Sequence, residues 1–526
     1  KRDGALYFAN QRLFRTVNGG QTWTPISPDL TRQELTVPAT LDEPTAKDTA
    51  SKGPRRGVIY DIGTSPLKDG LIWVGTDDGL IWCTDDNGAH WRNVTPPWLQ
   101  PWSKVGTIEP SHFDANTAYA AIDRHRVDDQ QPYILRTHDG GATWQVISNG
   151  LPKDAAPNSV NVVREDPAQP GLLYAGTERS LFVSFDDGDN WQPLNRGLPA
   201  TSVRDITIHG DDLVIATHGR GFYVLDDAVP LRSVGASAVR AMRLYPVAGA
   251  VRMNEPTFTG TPMPKDEPMA PNPPVGAMID YVLPAPPAGP LDITIYDSAG
   301  AVVNHFSSTD PVKPIDLSKL PVAPEWVVSP RPPVAQSGHH RFVWDLHYAK
   351  PGGLKEDDRM TGVLAPPGQY VVELSANGQR LRQPLTIVAD PRVSGVTQAD
   401  FITQFRLAKQ VEAARVRVRR MLDQSSDLKT ALEKKKGQPA ADALAAQLEQ
   451  QVGPEAPIGG ASPPTTLTSI SEWLDRLAQA VSGADAAPSP DNLRGFAVVS
   501  QALDQAEARW NGFARQALQV VPPPAR

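Results

Sequence analysis

One eight-residue pattern recurs four times in the first 200 residues and constrains the fold more than any other feature. It reads Ser/Thr, any residue, Asp/Asn, any residue, Gly, two further residues and Trp; its copies are Thr16–Trp23, Thr84–Trp91, Thr137–Trp144 and Ser184–Trp191. Asp and Asn bond their own backbone and Gly supplies a positive φ, so the pattern is typical of a hairpin turn followed by a packing tryptophan. Tryptophan spacings of 68, 53 and 47 residues indicate a propeller or a repeat array.

Short apolar segments bounded by turn residues form a second repeat around these turns. They predict second strands at Leu6–Ala9, Leu71–Thr76, Ala118–Ile122, Leu172–Thr177 and Leu213–Thr217. Third strands are expected at Leu13–Thr16, Leu80–Thr84, Tyr133–Thr137, Leu181–Ser184 and Phe222–Leu225, and fourth strands begin near each tryptophan. The five units then contain three, four, four, four and three strands.

The incomplete first and last units bear on how a ring could close. A propeller blade has four strands and a ring usually has four to eight blades. The first unit lacks an inner strand before Leu6 and the fifth lacks an outer strand after Leu225. Bare strand edges recruit other strands, so we expect an upstream N-terminal segment or a second polypeptide to complete the propeller. The alternative is a ring of five blades closed by this chain alone.

The remaining sequence changes character twice. Residues 231–274 are rich in Pro and predict an extended connector. Residues 275–390 show alternating strands, typical of an immunoglobulin-like β-sandwich, with a Pro-rich insertion at 311–333. Helical spacing begins near Thr397 and predicts a helical hairpin or bundle over 395–521. The expected fold class is therefore mainly β: propeller blades over 1–230, then the sandwich, then the helices.

The four turns are identified as Asp-boxes, and the chain resembles the C-terminal half of large bacterial sortilin-like or BNR-repeat glycosyl hydrolases. Further residues carry the resemblance: Gly75–Gly79, Asp123–Arg126, Thr217–Arg220, Gly338–Asp345 and Pro367–Tyr370. The resemblance implies a location outside the cytoplasm (periplasmic, cell-surface or secreted) and a missing N-terminal portion. The chain differs from the sialidases that carry Asp-boxes, because their arginine triad and tyrosine nucleophile have no counterpart that the sequence identifies. The single cysteine excludes the cysteine-rich module of sortilin.

Composition excludes several function classes. The net charge is −8 with no strongly basic block, whereas nucleic-acid binding needs concentrated Lys and Arg. No apolar run approaches the roughly 20 residues that span a bilayer. The sequence has no HExxH, no Gly-x-Ser-x-Gly and no phosphate-binding loop, so we expect no metal and no cofactor. Cys83 is interpreted as a buried thiol within a third strand.

Candidate site residues follow from the position of the repeat turns. With those turns on the lower face, the loops after the second strands and between blades form an upper face. That face is expected to gather Asp77, Asp78, Trp98, Trp102, Arg124, His125, Asp128, Asp129, Glu178, Arg179, His218 and Arg220. Arg124, His125, Glu178 and Arg220 are expected to be the most central.

Two functions fit such a face. A polar rim with aromatic side chains favours binding of a protein, a peptide or a glycan. The alternative is a glycoside hydrolase, which needs two carboxyl groups about 5–9 Å apart; Asp77 or Asp78 opposite Asp128, Asp129 or Glu178 would supply them. The acids would otherwise bond turn amides or pair with arginines, and Trp98 and Trp102 would pack between blades.

Overall fold

A computed structural model describes residues 4–33, 57–154, 156–234, 241–254, 272–312, 331–352, 361–454 and 463–521. The chain divides into two compact units, Lys1–Ala238 and Val239–Arg526. The first unit consists of β-sheets and the second of a β-sandwich with helices.

The described residues of the first unit form five antiparallel sheets, each a blade in which consecutive strands are neighbours. Blade 1 has β1 Leu6–Ala9, β2 Leu13–Thr16 and β3 Thr24–Pro25. Blade 2 has β4 Ile59–Thr64, β5 Ile72–Thr76, β6 Ile81–Thr84 and β7 Arg92–Asn93. Blade 3 has β8 Lys104–Pro110, β9 Ala118–Asp123, β10 Tyr133–Thr137 and β11 Gln145–Val146. Blade 4 has β12 Val160–Glu165, β13 Leu173–Thr177, β14 Leu181–Ser184 and β15 Gln192–Pro193. Blade 5 has β16 Ser202–His209, β17 Asp212–His218 and β18 Phe222–Leu225.

These sheets confirm the propeller blades expected from the repeats. The described residues hold three, four, four, four and three strands in the five blades, and each tryptophan of the pattern immediately precedes a fourth strand. The ends of the predicted second and third strands agree with the structure to within one residue, including β17, which starts at Asp212.

Strand register places the repeat turns and the candidate site at opposite ends of the blades. In blade 2, Thr64 pairs with Ile72 and Ile72 with Thr84, so the repeat turn lies beside the turn that joins the first two strands. Asn87 N accordingly donates to Gly70 O at 3.1 Å. The other end pairs Ile59 with Thr76. We call this end the upper face: it consists of the turns after the second strands and the beginnings of the inner strands β4, β8, β12 and β16.

Apolar clusters lie between successive blades and hold the unit together. One cluster joins Trp73 and Cys83 of blade 2 to Val105 and Ile108 of blade 3. Equivalent clusters join blade 1 to blade 2, blade 3 to blade 4 and blade 4 to blade 5. Each blade thus buries the apolar side of its strands against its neighbour, as the alternation of the strands requires.

The inner strands also bond to one another through charged side chains. Arg164 of β12 donates to Glu109 of β8 at 3.0 Å and to Asp205 of β16 at 2.9 Å. Asp61 of β4 accepts a hydrogen bond from Ile108 N at 2.7 Å. Burial raises the pKa of Asp61, against the lowering effect of that hydrogen bond and of Arg164. Four blades are therefore linked along the line of their inner strands.

The second unit begins with two sheets that share one apolar core. The first has the order β19-β21-β24 and the second β20-β26-β25-β22-β23. Their bounds are β19 Arg243–Leu244, β20 Ala250–Arg252, β21 Ala277–Leu283, β22 Asp292–Asp297, β23 Val302–Ser307, β24 Gly338–Trp344, β25 Gly368–Ala376 and β26 Gln379–Ala389. The sandwich is confirmed as two packed sheets, with the fully buried Trp344 and Tyr281 in its core.

Part of the expected connector belongs to this sandwich, and that expectation is corrected. Leu244 pairs with Tyr281 of β21, and Ala250 pairs in parallel with Ile387 of β26. Both residues are buried, because alternating apolar residues can complete a sheet even where Pro is frequent nearby. Residues 255–271 of the connector and 313–330 of the Pro-rich insertion lie outside the described residues.

In the part of the C-terminal region that the structure describes, four helices follow: α1 Gln398–Glu433, α2 Pro439–Val452, α3 Leu467–Ser482 and α4 Pro490–Val520. Thr397 caps α1 by accepting from Asp400 N, and Ser489 caps α4 by accepting from Asn492 N. Leu407, Val411 and Val418 lie on the buried side of α1 within one core shared by all four helices. The expected C-terminal helical bundle is present. A short helix, Leu231–Val234, ends the described part of the first unit.

Candidate functional site

Threonine side chains close the turns that carry the candidate residues on the upper face. Thr76 Oγ1 accepts from Leu80 N at 2.8 Å, and Thr177 Oγ1 accepts from Arg179 N at 3.2 Å. Thr217 Oγ1 donates to Gly221 O at 2.7 Å. The hydroxyl groups satisfy turn backbone groups locally, so the residues between them project from the ends of the second strands.

A bulge near the start of every complete inner strand aims a further residue at this face. At each bulge the inner strand has one residue without a partner on the second strand of its blade. These extra residues are Tyr60, Gly106, Asn161 and Arg204. Bulges re-aim side chains and are frequent beside functional sites. The same irregularity at one level of four blades places three polar side chains, Tyr60, Asn161 and Arg204, at the upper face.

The acidic pair of blade 2 is occupied by protein donors. Asp77 Oδ2 accepts from Arg126 at 2.8 Å and Asp77 Oδ1 from Val58 N at 2.7 Å. Asp78 is fully buried and accepts from Arg32 N at 2.8 Å and from Thr76 Oγ1. Burial raises the pKa of Asp78, against these two hydrogen bonds, which lower it. These acids therefore fix the inter-blade loops.

The two tryptophans of the loop 97–102 have different surroundings. Trp102 is buried, has a positive φ of 66° and lies under the guanidinium of Arg126 at 5.6 Å from its ring centre. Trp98 is 40% exposed. Trp102 thus packs in the loop, while Trp98 remains accessible for stacking.

A second cluster surrounds the 3₁₀ helix His125–Val127 of blade 3. Arg124 pairs with Asp129 at 3.4 Å and lies over the ring of Tyr133, whose hydroxyl donates to Asp129 at 3.0 Å. Asp128 is exposed, with a left-handed φ of 59°. Arg124 and Asp129 are therefore paired within one blade.

His125 belongs to a chain of polar groups that runs to the inner strand. Its Nδ1 lies 2.7 Å from Asp123 Oδ2, and the same oxygen is 3.2 Å from Lys104 Nζ. The Lys104 ammonium lies 4.6 Å from the ring centre of Tyr60. Burial acts to raise the pKa of Asp123, but the bonds to His125 and the Lys104 charge outweigh it and lower that pKa. His125 is half exposed and its imidazole is oriented by a buried carboxylate.

The third cluster joins blades 4 and 5. Arg204 Nη1 lies 3.1 Å from Glu178 Oε1, and Asn161 Nδ2 donates to the same oxygen at 3.2 Å. Arg179 is 49% exposed and is 3.6 Å from Asp154. His218, the last residue of β17, and Arg220, in the turn that follows, are both exposed. This part of the upper face presents cationic side chains, because its glutamate is already bonded.

The expected site residues thus lie on one face but fall into three local clusters. The described residues show no hydrogen bond or ion pair that connects Arg124, His125, Glu178 and Arg220 with one another. Of the acids expected to face each other, Asp77, Asp129 and Glu178 pair with arginines and Asp78 accepts from a backbone amide, while Asp128 is exposed. The sequence predicted the same role for both tryptophans of the loop 97–102. The structure distinguishes them, because only Trp102 is buried.

Sequence reasoning missed four residues that shape this face: Tyr60, Lys104, Asn161 and Arg204. Their inner strands contain both polar and apolar residues, so neither the bulges at Tyr60, Asn161 and Arg204 nor the ion pair of Lys104 leaves a pattern in the sequence. Arg126, which follows the candidate residues Arg124 and His125, also contributes to this face. Its bond to Asp77 spans 49 positions, and no local spacing indicates it.

Other classes of site find no support in the described part of the chain. It contains no group of three or more His, Cys, Asp or Glu side chains placed to hold a metal ion. None of its helices is long and apolar enough to cross a membrane. Cys83 is buried, and burial raises the pKa of its thiol to about 11. That thiol is therefore structural, as the sequence indicated.

Comparisons with known proteins give similarity of structure only. No protein-family model matches the sequence, and no curated protein matches it significantly. A GH74 xyloglucanase from Xanthomonas campestris is 18% identical over 43% of this chain and 36% of its own, with a TM-score of 0.30. YCF48 from Cyanidioschyzon merolae is 16% identical over 36% of this chain and 60% of its own, with a TM-score of 0.24. The GH74 enzyme of Niastella koreensis is 15% identical over 43% and 35%, at 0.29. This chain spans about a third of the length of both GH74 proteins.

Proposed function

We propose that the first unit binds a protein, peptide or glycan ligand on its upper face. One observation carries the proposal: four of the five candidate acids of this face, Asp77, Asp78, Asp129 and Glu178, are bonded internally, whereas cationic and aromatic side chains remain accessible. The side chains of Arg179 and Arg204 are 49% and 43% exposed. Trp98 as a whole residue is 40% exposed. Arg and aromatic side chains are enriched in binding interfaces because they combine large contact area with directional bonding.

The end of β17 and the turn after it offer the sharpest test. His218 and Arg220 are exposed, so their replacement should leave folding intact. The double variant His218→Ala/Arg220→Ala should weaken binding at least roughly tenfold, since loss of one charged contact costs about that much. The probes are a panel of neutral and acidic oligosaccharides and of neutral and acidic peptides, titrated by calorimetry.

A matched control lies on the lower face. The side chain of Asp85, at the variable second position of the second repeat turn, is 56% exposed there, and Asp85→Ala should leave binding unchanged. Equal affinities for the wild type and the His218/Arg220 variant would contradict the proposal. Loss of binding in Asp85→Ala would also contradict it, because the ligand would then occupy the opposite face.

A glycoside hydrolase is the alternative use of the same face. It is favoured only by Glu178 and Asp129, which are half-buried carboxyls on neighbouring blades. Each is held by an arginine, whereas catalysis requires one carboxyl to carry a proton and the other to reach the sugar. Release of reducing ends from the oligosaccharide panel, abolished by Glu178→Gln, would establish the hydrolase instead.

Two expectations about the cellular context accompany this proposal. We propose that a further segment or polypeptide completes the ring of blades, because β1 and β18 present apolar residues to solvent. We also propose a location outside the cytoplasm, on the resemblance stated above. Fractionation of the source organism, with detection of the chain in the soluble cytosolic fraction alone, would refute the latter.

A further inference from the structure

The first repeat turn differs from the other three in what surrounds its tryptophan. In the other copies the indole N–H donates to a backbone carbonyl of the preceding blade. The residue that supplies this carbonyl follows the repeat tryptophan of its own blade by three positions. The pairs are Trp91 to Ile26 at 2.9 Å, Trp144 to Val94 at 2.8 Å and Trp191 to Ile147 at 2.7 Å. Trp23 is 42% exposed, and the described residues give its indole N–H no acceptor.

The glycine of the turn shows the same difference. A Cβ on Gly88 would lie 2.3 Å from Ile26 O, and one on Gly188 would lie 2.3 Å from Ile147 Cδ1. Each repeat turn therefore forms a small recess for the residue that follows the preceding tryptophan by three. A Cβ on Gly20 would meet only the ring of Trp23 in its own turn, at 3.7 Å. The recess of the first turn is formed but holds no residue of the described chain.

Exposed apolar side chains extend this recess into a face. Leu6 and Phe8 are 53% and 59% exposed, and the ring of Phe8 meets that of Trp23 edge to face at 6.0 Å. Tyr7 and Ala9, which alternate with them on β1, pack against blade 2. Both faces of blade 1 are thus apolar, as in a blade that packs between two neighbours. The described chain covers only the face that packs against blade 2.

We propose that this face of blade 1 docks a four-stranded blade that carries the same repeat turn. An apolar residue three positions after that blade's tryptophan fills the recess at Gly20, and its carbonyl accepts from Trp23 Nε1. The proposal deepens the ring completion proposed above, and does not depend on which ligand the upper face binds.

A second copy of this chain does not supply such a blade through its free end. Blade 5 has three strands and lacks the repeat turn, so it has no carbonyl at the required position. Its exposed Phe222 and Val224 offer apolar area without the acceptor. The occupant is therefore a partner of the repeat-turn type, and dimerisation is an outcome for the test.

A fusion tests the docking chemistry with the chain's own blades. Residues 57–211 are placed ahead of Ala5 of the full chain, so that a copy of blade 4 precedes blade 1 and a copy of β16 precedes β1. Hydrogen exchange of residues 4–25 should slow by roughly tenfold or more, as expected for a new buried hydrogen bond. Trp23 should also lose its accessibility to acrylamide.

The matched control changes the residue that enters the recess. Leu194→Asp in the added copy alone places a carboxylate against Gly20 and should abolish the protection of residues 4–25. Continued protection of the added residues 84–93 shows that the copy is folded. Unchanged exchange at residues 4–25 in the first fusion overturns the proposal. A concentration-dependent dimer of the unfused chain that protects Trp23 also overturns it, by assigning the face to a second copy. A failure of ligand binding with docking intact affects the upper-face proposal alone.

Discussion

The hydroxyl of Thr137 gives the most direct test of how the repeat turns stabilise the blades. Thr137 is 2% exposed; its Oγ1 donates to Asp139 Oδ1 at 2.8 Å and accepts from Gly141 N at 3.0 Å. Thr137→Val retains the β-branched shape and removes only the hydroxyl. The substitution therefore separates hydrogen bonding in the turn from packing around it.

The expected loss follows from these contacts. A typical hydrogen bond contributes about 0.5–1.5 kcal/mol net, and a buried donor left without an acceptor costs about 1–3 kcal/mol. Gly141 is buried, so both terms apply and the free energy of unfolding should fall by about 2–4 kcal/mol. For a unit the size of Lys1–Ala238, about 2–4 °C per kcal/mol predicts a melting temperature lower by about 4–16 °C.

Calorimetry of the full chain measures this shift, and Thr137→Ser is the control. The fourth copy of the pattern uses Ser184 at the same place, where its Oγ donates to Asp186 at 2.9 Å and accepts from Gly188 N at 2.9 Å. Serine keeps both bonds and loses one methyl group, at about 0.8 kcal/mol. Equal melting temperatures for the valine and serine variants would refute the claim that the hydroxyl stabilises the turn.

Three further predictions concern neighbouring features. Gly141→Ala should destabilise by about 1–3 kcal/mol more than Gly140→Ala: both have positive φ, but only the Gly141 Cβ meets Val94, at 2.8 Å, and chemical denaturation of the pair measures the difference. The pKa of Asp123 in the folded protein lies below its ordinary 3.8, so the ionised carboxylate stabilises the fold above pH ~4, and this stabilisation is lost as the pH falls. Asp123→Asn should therefore make the melting temperature decline less steeply as the pH is lowered. Arg252 and Asp485 form a buried ion pair, so Arg252→Met should lower the free energy of unfolding by about 3–5 kcal/mol, because it leaves a buried charge unpaired. The double variant Arg252→Met/Asp485→Leu removes both charges and should lower it less. Urea unfolding followed by the circular dichroism of the helices measures both changes.

The blades were predictable from sequence because their boundaries are set by local chemistry. A turn that needs positive φ takes Gly, and the tryptophan that seals the blade interface follows at fixed spacing. Gly88 has a φ of 92° and Gly141 of 86°, which non-glycine residues rarely adopt. The helices were equally accessible, since Thr397 and Ser489 cap them with side-chain bonds to residues three positions away.

The site was less predictable because its geometry depends on partners distant in the chain. Arg164 meets Glu109 and Asp205 over separations of 55 and 41 positions, which no window of sequence contains. A bulge adds one residue without changing the alternation on either side, so Tyr60 was not distinguished from a ladder residue. The segment before β21 was misjudged for the same reason: Leu244 has a strand partner only through Tyr281.

The bonds that the upper-face acids make bear on the two proposed functions, binding and hydrolysis, more directly than the presence of those acids. A carboxylate whose oxygens already accept from an arginine and an amide is held in place by the protein, which suits a structural or ligand-orienting role. Glu178 would have to leave both Arg204 and Asn161 before it could protonate a leaving oxygen. Arg204→Ala should then free Glu178, and a hydrolase would retain or gain activity on oligosaccharides. A binding face would instead lose affinity, because Arg204 and the residues beside it are the accessible groups. The same substitution therefore separates the two candidate functions: it weakens binding but does not lower hydrolysis.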